Sequence, residues 1–289
     1  MPSNPEVLEN IYHRGQDNIW NGKRVLQSLI DEHGLPDIES SKKKAIENIF
    51  AIILEGEYVA WNVSAQLSYM IDDQGAKMAA ISQAHDEARH FYVMRDYLEL
   101  LGYKPRELSK SVLYVLDQVS NTPDLARKLL GMQLMIEPIA LTVFRFVRKS
   151  EIDPVLSGLL EYFEVDEARH VALGVKYLPL LIKDMSPPQL ANFLFWQARL
   201  INAEIDGLKE LESDLRALGL DPLEVFEYAE KRQIECLKLV AGEMGIGEGI
   251  WSPILKLVQF KKKMVFYPNS GDNFIKKLTT SFFDIISTD

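Results

Sequence analysis

The pentapeptide Asp86-Glu87-Ala88-Arg89-His90 recurs unchanged as Asp166-Glu167-Ala168-Arg169-His170, eighty positions later. On an α-helix, residues i and i+3 share a face, so Glu87 with His90, and Glu167 with His170, each turn a carboxylate and an imidazole toward one point. One such pair is common on solvated helices, but an unchanged repeat is not. Two such helices facing each other could hold two metal ions.

The repeat extends upstream. Glu57 lies thirty residues before Glu87, and Glu137 thirty before Glu167. In an antiparallel helical hairpin, residues equidistant from the turn lie side by side, so residues 72 and 152 should be turns. They fall in Asp72-Asp73-Gln74-Gly75 and Ser150-Glu151-Ile152-Asp153-Pro154, which carry helix breakers. At about 1.5 Å per residue, all four carboxylates then lie roughly 20 Å from their turns, deep in a bundle. The same offset aligns Leu54 with Leu134, Asp73 with Asp153, Tyr97 with Tyr177, Leu98 with Leu178 and Leu101 with Leu181, the pattern of a duplicated hairpin.

Apolar spacing predicts helices over 41–71, 75–101, 124–149 and 154–184, each with its glutamate inside an apolar stripe. Pro138 predicts a kink beside Glu137, and Pro179 a distortion further on. Residues 5–33 read as one or two amphipathic helices, 34–40 as a loop and 109–119 as a short crossing helix. Helical patterns follow over 189–218, 222–244 and about 250–265, then a loop and a short segment over 267–289. The expectation is a single all-α domain, 1–289, with a metal-binding core at about 41–184 and a C-terminal helical extension at about 187–289 that enlarges the bundle or forms a dimer surface.

Composition narrows the chemistry. Cys236 is the only cysteine, which excludes an intrachain disulfide and any thiolate-rich metal site, so ligands must offer oxygen and nitrogen. A net charge of −10 argues against nucleic-acid or anionic-membrane partners. No stretch has the apolar length of a membrane span, and Met1-Pro2-Ser3-Asn4-Pro5 lacks a signal-peptide pattern, so a cytoplasmic location is expected. Four buried carboxylates and two imidazoles without metal would carry a heavy desolvation and repulsion cost. A carboxylate-rich set suits iron or manganese better than zinc. Two glutamates plus two Glu-x-x-His pairs in a four-helix bundle form the ligand set of ferritin-like di-metal carboxylate proteins.

Gly56-Glu57-Tyr58 followed by Asp86-Glu87-Ala88-Arg89-His90 resembles the hydroxylase α subunits of bacterial multicomponent monooxygenases, where Asp-Glu-x-Arg-His occurs in both halves. It is also similar to ribonucleotide reductase radical subunits and R2-like oxidases. The resemblance covers about 45–182 and implies a ferritin-like four-helix bundle holding two iron ions, or a manganese–iron pair. It implies Glu57, Glu87 and His90 on one ion, Glu137, Glu167 and His170 on the other, with Glu bridges. Asp86 and Asp166 would accept hydrogen bonds from the histidine of the opposite hairpin, and Arg89 and Arg169 would pair with those aspartates. Leu141 stands where the hydroxylases have Thr, and Met94 where radical subunits have Tyr.

The expected function is an oxidase or monooxygenase that uses O2 as co-substrate on a small organic molecule, with a reductase or ferredoxin as electron donor and a homodimer as the assembly. Iron oxidation or storage, peroxide scavenging, and a radical-generating role stay open beside it. Ala60, Ala84, Ala88 and Gly174 are expected to leave an apolar pocket near the metals. His85 reads as structural, Glu55, Glu161 and Glu164 as surface or supporting groups, and Tyr58, Trp61, Tyr92 and Tyr162 as packing. Cys236 reads as a small buried hydrophobe, and Lys42 to Lys44 and Lys261 to Lys263 as solvated helix faces.

Overall fold

The structure, a computed structural model, describes residues 5–245 and 247–266; the tail expected over 267–289 lies outside the described residues. Every regular element among the described residues is helical. In order these are α1 (Pro5–Asp17), α2 (Gly22–His33), α3 (Ser40–Met70), α4 (Gln74–Leu100), α5 (Lys110–Asn121), α6 (Leu125–Leu129), α7 (Glu137–Lys149), α8 (Pro154–Ile182), α9 (Pro187–Glu210), α10 (Glu212–Ala217), α11 (Pro222–Met244) and α12 (Ser252–Phe266). A π-helical turn, Leu130–Ile136, joins α6 to α7, and a 3-10 turn, Glu248–Trp251, leads into α12.

Both expected hairpins form. The Asp73 side chain caps α4 by accepting from the Ala76 amide, and Asp153 caps α8 by accepting from the Leu156 amide with Pro154 in the first turn. Such caps contribute about 1 kcal/mol each. The aligned tyrosines explain themselves here. The Tyr97 hydroxyl, near the end of α4, donates to Asp153 Oδ2 at 3.0 Å. Tyr177 of α8 in turn lies against Asp73. Each hairpin thus closes on the other's N-cap.

At Pro138 the helix widens. Proline lacks an amide donor and crowds the carbonyl four residues earlier. The turn before it is widened, so that the Glu137 amide reaches back five residues to the Met132 carbonyl. Pro179, by contrast, sits inside α8 without ending it. The stretch Leu125–Lys149 is long and apolar enough to cross a membrane, but 83% of its apolar window is buried among the other helices, and it carries Glu137. It is a core helix.

Helices α3, α4, α7 and α8 make the central bundle. One hydrophobic cluster, with Leu67, Ile71, Ala80, Leu134 and Leu178, fills one end, and a second, with Phe50, Met94, Tyr97, Phe144 and Phe163, fills the other. The repeated glutamates and histidines occupy the layer between. Helices α1 and α2 lie across α4 and α8, while α5 packs on α3 and α9, and α11 on α7, α8 and α9. The pattern expected over 189–218 is broken at Leu211 into α9 and α10.

Candidate metal centre

The structure brings all six expected ligands into one buried layer. Glu57, Glu87, His90 and Glu167 offer donor atoms within 4.8 Å of one another, and so do Glu87, Glu137, Glu167 and His170. Glu87 and Glu167 belong to both groups and stand between them, whereas Glu57 and Glu137 each belong to one. None of the six side chains has more than marginal solvent contact.

The histidines present a defined nitrogen. His90 Nδ1 lies 3.3 Å from Glu57, 3.4 Å from Glu87 and 3.2 Å from Glu167. His170 Nδ1 lies 3.0 Å from Glu87 and 2.8 Å from Glu167. The outer nitrogens turn away: His90 Nε2 meets Asp166 at 3.1 Å, and His170 Nε2 meets Asp86 at 3.4 Å, each aspartate belonging to the other hairpin. A carboxylate held at Nε2 keeps the proton there and leaves the Nδ1 lone pair free for a cation.

The aspartates are themselves fixed by a buried ring. Arg89 Nη2 donates to Asp86 at 2.6 Å and to Asp166 at 2.8 Å; Arg169 Nη2 donates to Asp166 at 2.5 Å and to Asp86 at 3.0 Å. Burial opposes the charge on both aspartates. The partner histidines outweigh it and hold both carboxyl groups below their usual range, with Arg169 and Trp20 adding to the effect on Asp166.

Two observations test whether this set fits metal. Glu87 Oε2 and His90 Nδ1 are buried without a hydrogen-bond partner, although three carboxylates approach that nitrogen. Buried polar atoms are otherwise almost always satisfied. The donor set also balances: four carboxylates carry four negative charges, which two divalent cations neutralise. Without metal, burial pushes Glu57 and Glu137 well above the usual carboxylate range. Burial opposes the charged imidazoles too, but the surrounding carboxylates raise both histidines well above their ordinary value. Protons then stand where cations fit, and cations must displace them to bind.

The two halves are not equivalent. The Gln83 amide donates to Glu87 at 3.0 Å and to Glu137 at 2.9 Å, and its oxygen accepts from Gln133 at 2.9 Å. Eighty positions on from Gln83 is Phe163, and eighty back from Gln133 is Ile53. Phe163 stacks on His90 with ring centroids 4.1 Å apart. The Glu137–His170 half therefore has amides where the Glu57–His90 half has hydrocarbon. Trp20 adds a second asymmetry: its Nε1 donates to Asp166 Oδ2 at 2.8 Å, and Arg89 lies over its ring at 4.6 Å. Sequence reasoning passed over Gln83, Gln133 and Trp20, although comparing Gln83 with Phe163 across the repeat exposes the first.

Other expectations divide. His85 is largely exposed and contacts Arg89 at 3.3 Å, outside the ligand layer. Glu161 and Glu164 pair with Arg148 away from the layer, and Glu55 is exposed. Tyr58 and Trp61 pack with Phe91 in an aromatic cluster that stays partly exposed, and Tyr162 lies against Trp20. Cys236 is buried as expected, which pushes its thiol up to about 11. Lys262 is a correction: it is buried rather than solvated, paired with Glu227 at 2.9 Å and Glu230 at 3.2 Å.

An apolar cavity of about 160 Å³ abuts the layer, well above the roughly 10–15 Å³ one water needs. Its wall includes Glu57, Ala60, Glu137 and Ala140, closed over by residues of α5, α9 and α11 such as Leu116, Ile205 and Phe226. Of the four small residues expected to line a pocket, Ala60 does so, and Ala84, Ala88 and Gly174 do not. Gly174 serves close packing instead, because a Cβ there would come within 2.6 Å of Gln133 Cβ.

No protein-family model matches the chain, and no curated protein matches it in sequence. Solved structures do. A Synechococcus protein with aldehyde deformylating oxidase activity superposes with a TM-score of 0.59 at 16% identity, over 75% of this chain and 97% of that one. A variant of an R2-like ligand-binding oxidase with an aerobically reconstituted Mn/Fe cofactor gives a TM-score of 0.61 at 16% identity, over 83% of this chain and 93% of that one. A second such variant gives 0.51 at 15% identity, over 89% and 93%. The fold is ferritin-like.

Proposed function

We propose that this chain is a di-metal carboxylate oxidase that uses O2 on a small, largely apolar organic substrate. Glu57 with His90, and Glu137 with His170, would each hold one ion, iron or one iron and one manganese, with Glu87 and Glu167 shared between them. Bound in this way, the metals would supply the reduction of O2 that protein side chains cannot. The chain's own residues supply the rest. Asp86 and Asp166 fix a proton at each outer histidine nitrogen, the Arg89–Arg169 ring holds those aspartates, and Phe163 stacks on the His90 ring.

The observation that carries the reading is the apolar cavity whose wall contains two of the ligand glutamates. Iron storage or peroxide removal needs no space for an organic molecule beside the metals; an oxidase does. The oxidases named among the structural neighbours support the same reading. Electrons would come from a separate reductase or ferredoxin, or from the substrate itself.

The test is metal content and O2 uptake of protein produced with iron and manganese. About two ions per chain are expected, with Glu87→Ala or Glu167→Ala losing both and Glu57→Ala or Glu137→Ala losing one. Retention of no metal by the unmodified chain, or unchanged content in Glu87→Ala, would sink the metal centre. Full loading with O2 uptake that no apolar organic compound stimulates would sink the oxidase reading alone.

A further inference from the structure

The cavity beside the metal centre has one polar group that the centre does not use. Glu204, from α9, lines it. The side-chain amide of Gln233 donates to Glu204 Oε2 at 3.1 Å and to the Met135 carbonyl at 3.0 Å. Met135 lies in the π-helical turn, two residues before Glu137, so the amide couples Glu204 to the backbone that carries a ligand. Glu204 Oε1 is buried and has no partner. Burial pushes this carboxyl up to about 7, with the Gln233 hydrogen bond working the other way.

The remaining charged residues on the wall are accounted for. Glu57 and Glu137 belong to the metal layer. Glu230 accepts from Gln259 at 2.6 Å and faces Lys262 at 3.2 Å. No lysine or arginine lines the cavity among the described residues, and beyond these glutamates its wall is mainly aliphatic. One buried carboxyl oxygen without a partner, on a group that ionises above about pH 7, therefore belongs to the wall of a hydrocarbon-lined space sized for a small organic molecule.

We propose that Glu204 is the head-group anchor of this cavity and that the ligand it takes is a primary amine with an aliphatic body, bound as the ammonium. The substrate assignment rests on the oxidase reading above; the anchor itself does not. An ammonium brings donors for Oε1 and a charge that offsets the buried carboxylate, and charge-assisted bonds of this kind are the strong ones. A neutral alcohol supplies the donor without the charge. A carboxylate binds beside Glu204 only by taking up a proton, since two like charges cannot share the space.

Calorimetric titration of the metal-loaded chain at about pH 8 with n-hexylamine, 1-hexanol and hexanoate tests this, because Glu204 is then ionised and the amine still protonated. The amine is expected to bind at least about tenfold tighter than the other two, and Glu204→Gln to weaken it about tenfold while changing the alcohol less than about threefold. Equal or tighter binding of the alcohol or the carboxylate, no binding of the amine, or an unchanged amine affinity in Glu204→Gln overturns the anchor. Should the variant not fold, the ranking of the three ligands on the unmodified chain decides. Metal content measured on the same samples separates the outcomes: a full complement with the wrong ranking removes the anchor and leaves the metal centre standing.

Discussion

The two sides of the central bundle solve the burial of charge differently. Under α1 and α2, on the α4–α8 side, all four carboxylate oxygens of Asp86 and Asp166 have partners from Arg89, Arg169, Trp20 and the two histidines. Under α5, α9 and α11, on the α3–α7 side, the wall is hydrocarbon around a cavity, and Glu204 keeps one oxygen unmatched. In this closed ring only Arg89 Nε is left buried without a partner, and the ring holds the two histidines in place. The open side is where the proposed amine would supply the missing partner.

The sharpest way to break this contrast is to unbalance the closed side. Asp166→Asn leaves Arg89 and Arg169 each short of a charge partner, and loss of one member of a buried ion network costs about 3–5 kcal/mol. Chemical denaturation should show that loss, with Asp86→Asn somewhat milder because Trp20 bonds only Asp166. Metal affinity should fall about 10–100-fold in either variant, since each releases one histidine from its aspartate.

Adding volume separates the sides next. A Cβ on Gly22 would fall 2.1 Å from a Val93 methyl and 2.5 Å from the Tyr92 hydroxyl, so Gly22→Ala should cost about 1–3 kcal/mol. Ala60→Leu, which points growth at the cavity, should change stability by less than about 1 kcal/mol while abolishing amine binding. Equal costs would show that the cavity side is as tightly filled as the other. Trp20→Phe keeps the ring over Arg89 and removes the donor to Asp166. A stability loss of about 1.5 kcal/mol, read from the shift of the denaturant midpoint at unchanged m-value, is expected.

The smallest effect is a pH dependence from the open side. The folded Glu204 carboxyl, at about 7, lies above its unfolded value of 4.5. Its contribution is therefore present in full below about 4.5 and lost as the pH rises through 7. Between those limits the unmodified chain should lose stability relative to Glu204→Gln, on the order of 1 kcal/mol after allowing for relaxation. A constant difference across that window would remove the titration from Glu204.

Much of the bundle was legible because helical periodicity and the equidistance rule are local or one-dimensional. The hairpin turns and the level of Glu57, Glu87, Glu137 and Glu167 follow from counting, whereas the pairing of Asp86 and Asp166 with the opposite histidines was available only through the family resemblance. Trp20 was not legible, because its contact with Asp166 spans 146 positions and depends on how α2 docks. Glu204 was legible in principle. It sits between Ile201 and Leu208 on an apolar stripe like those of Glu57, Glu87, Glu137 and Glu167, where a carboxylate meets the same desolvation cost. The π-helical turn was half legible: Pro138 announced a disturbance, but whether a helix bends or widens is decided by its neighbours, here Gly174 against Gln133 and Leu134.

The arginine–aspartate ring also has a bearing on the order of events in folding. Its cross-bonds join residues 77 and 83 positions apart, while the glutamates that lie level within each hairpin are thirty apart. Chain closure over such separations comes after local helix pairing, so the ring forms late, once both hairpins exist. Contacts absent at the rate-limiting barrier govern how slowly a protein comes apart rather than how quickly it assembles. For the metal-free chain, Asp166→Asn should therefore speed unfolding and leave refolding nearly unchanged, which would make the doubled motif a device for persistence as well as for the proposed metals.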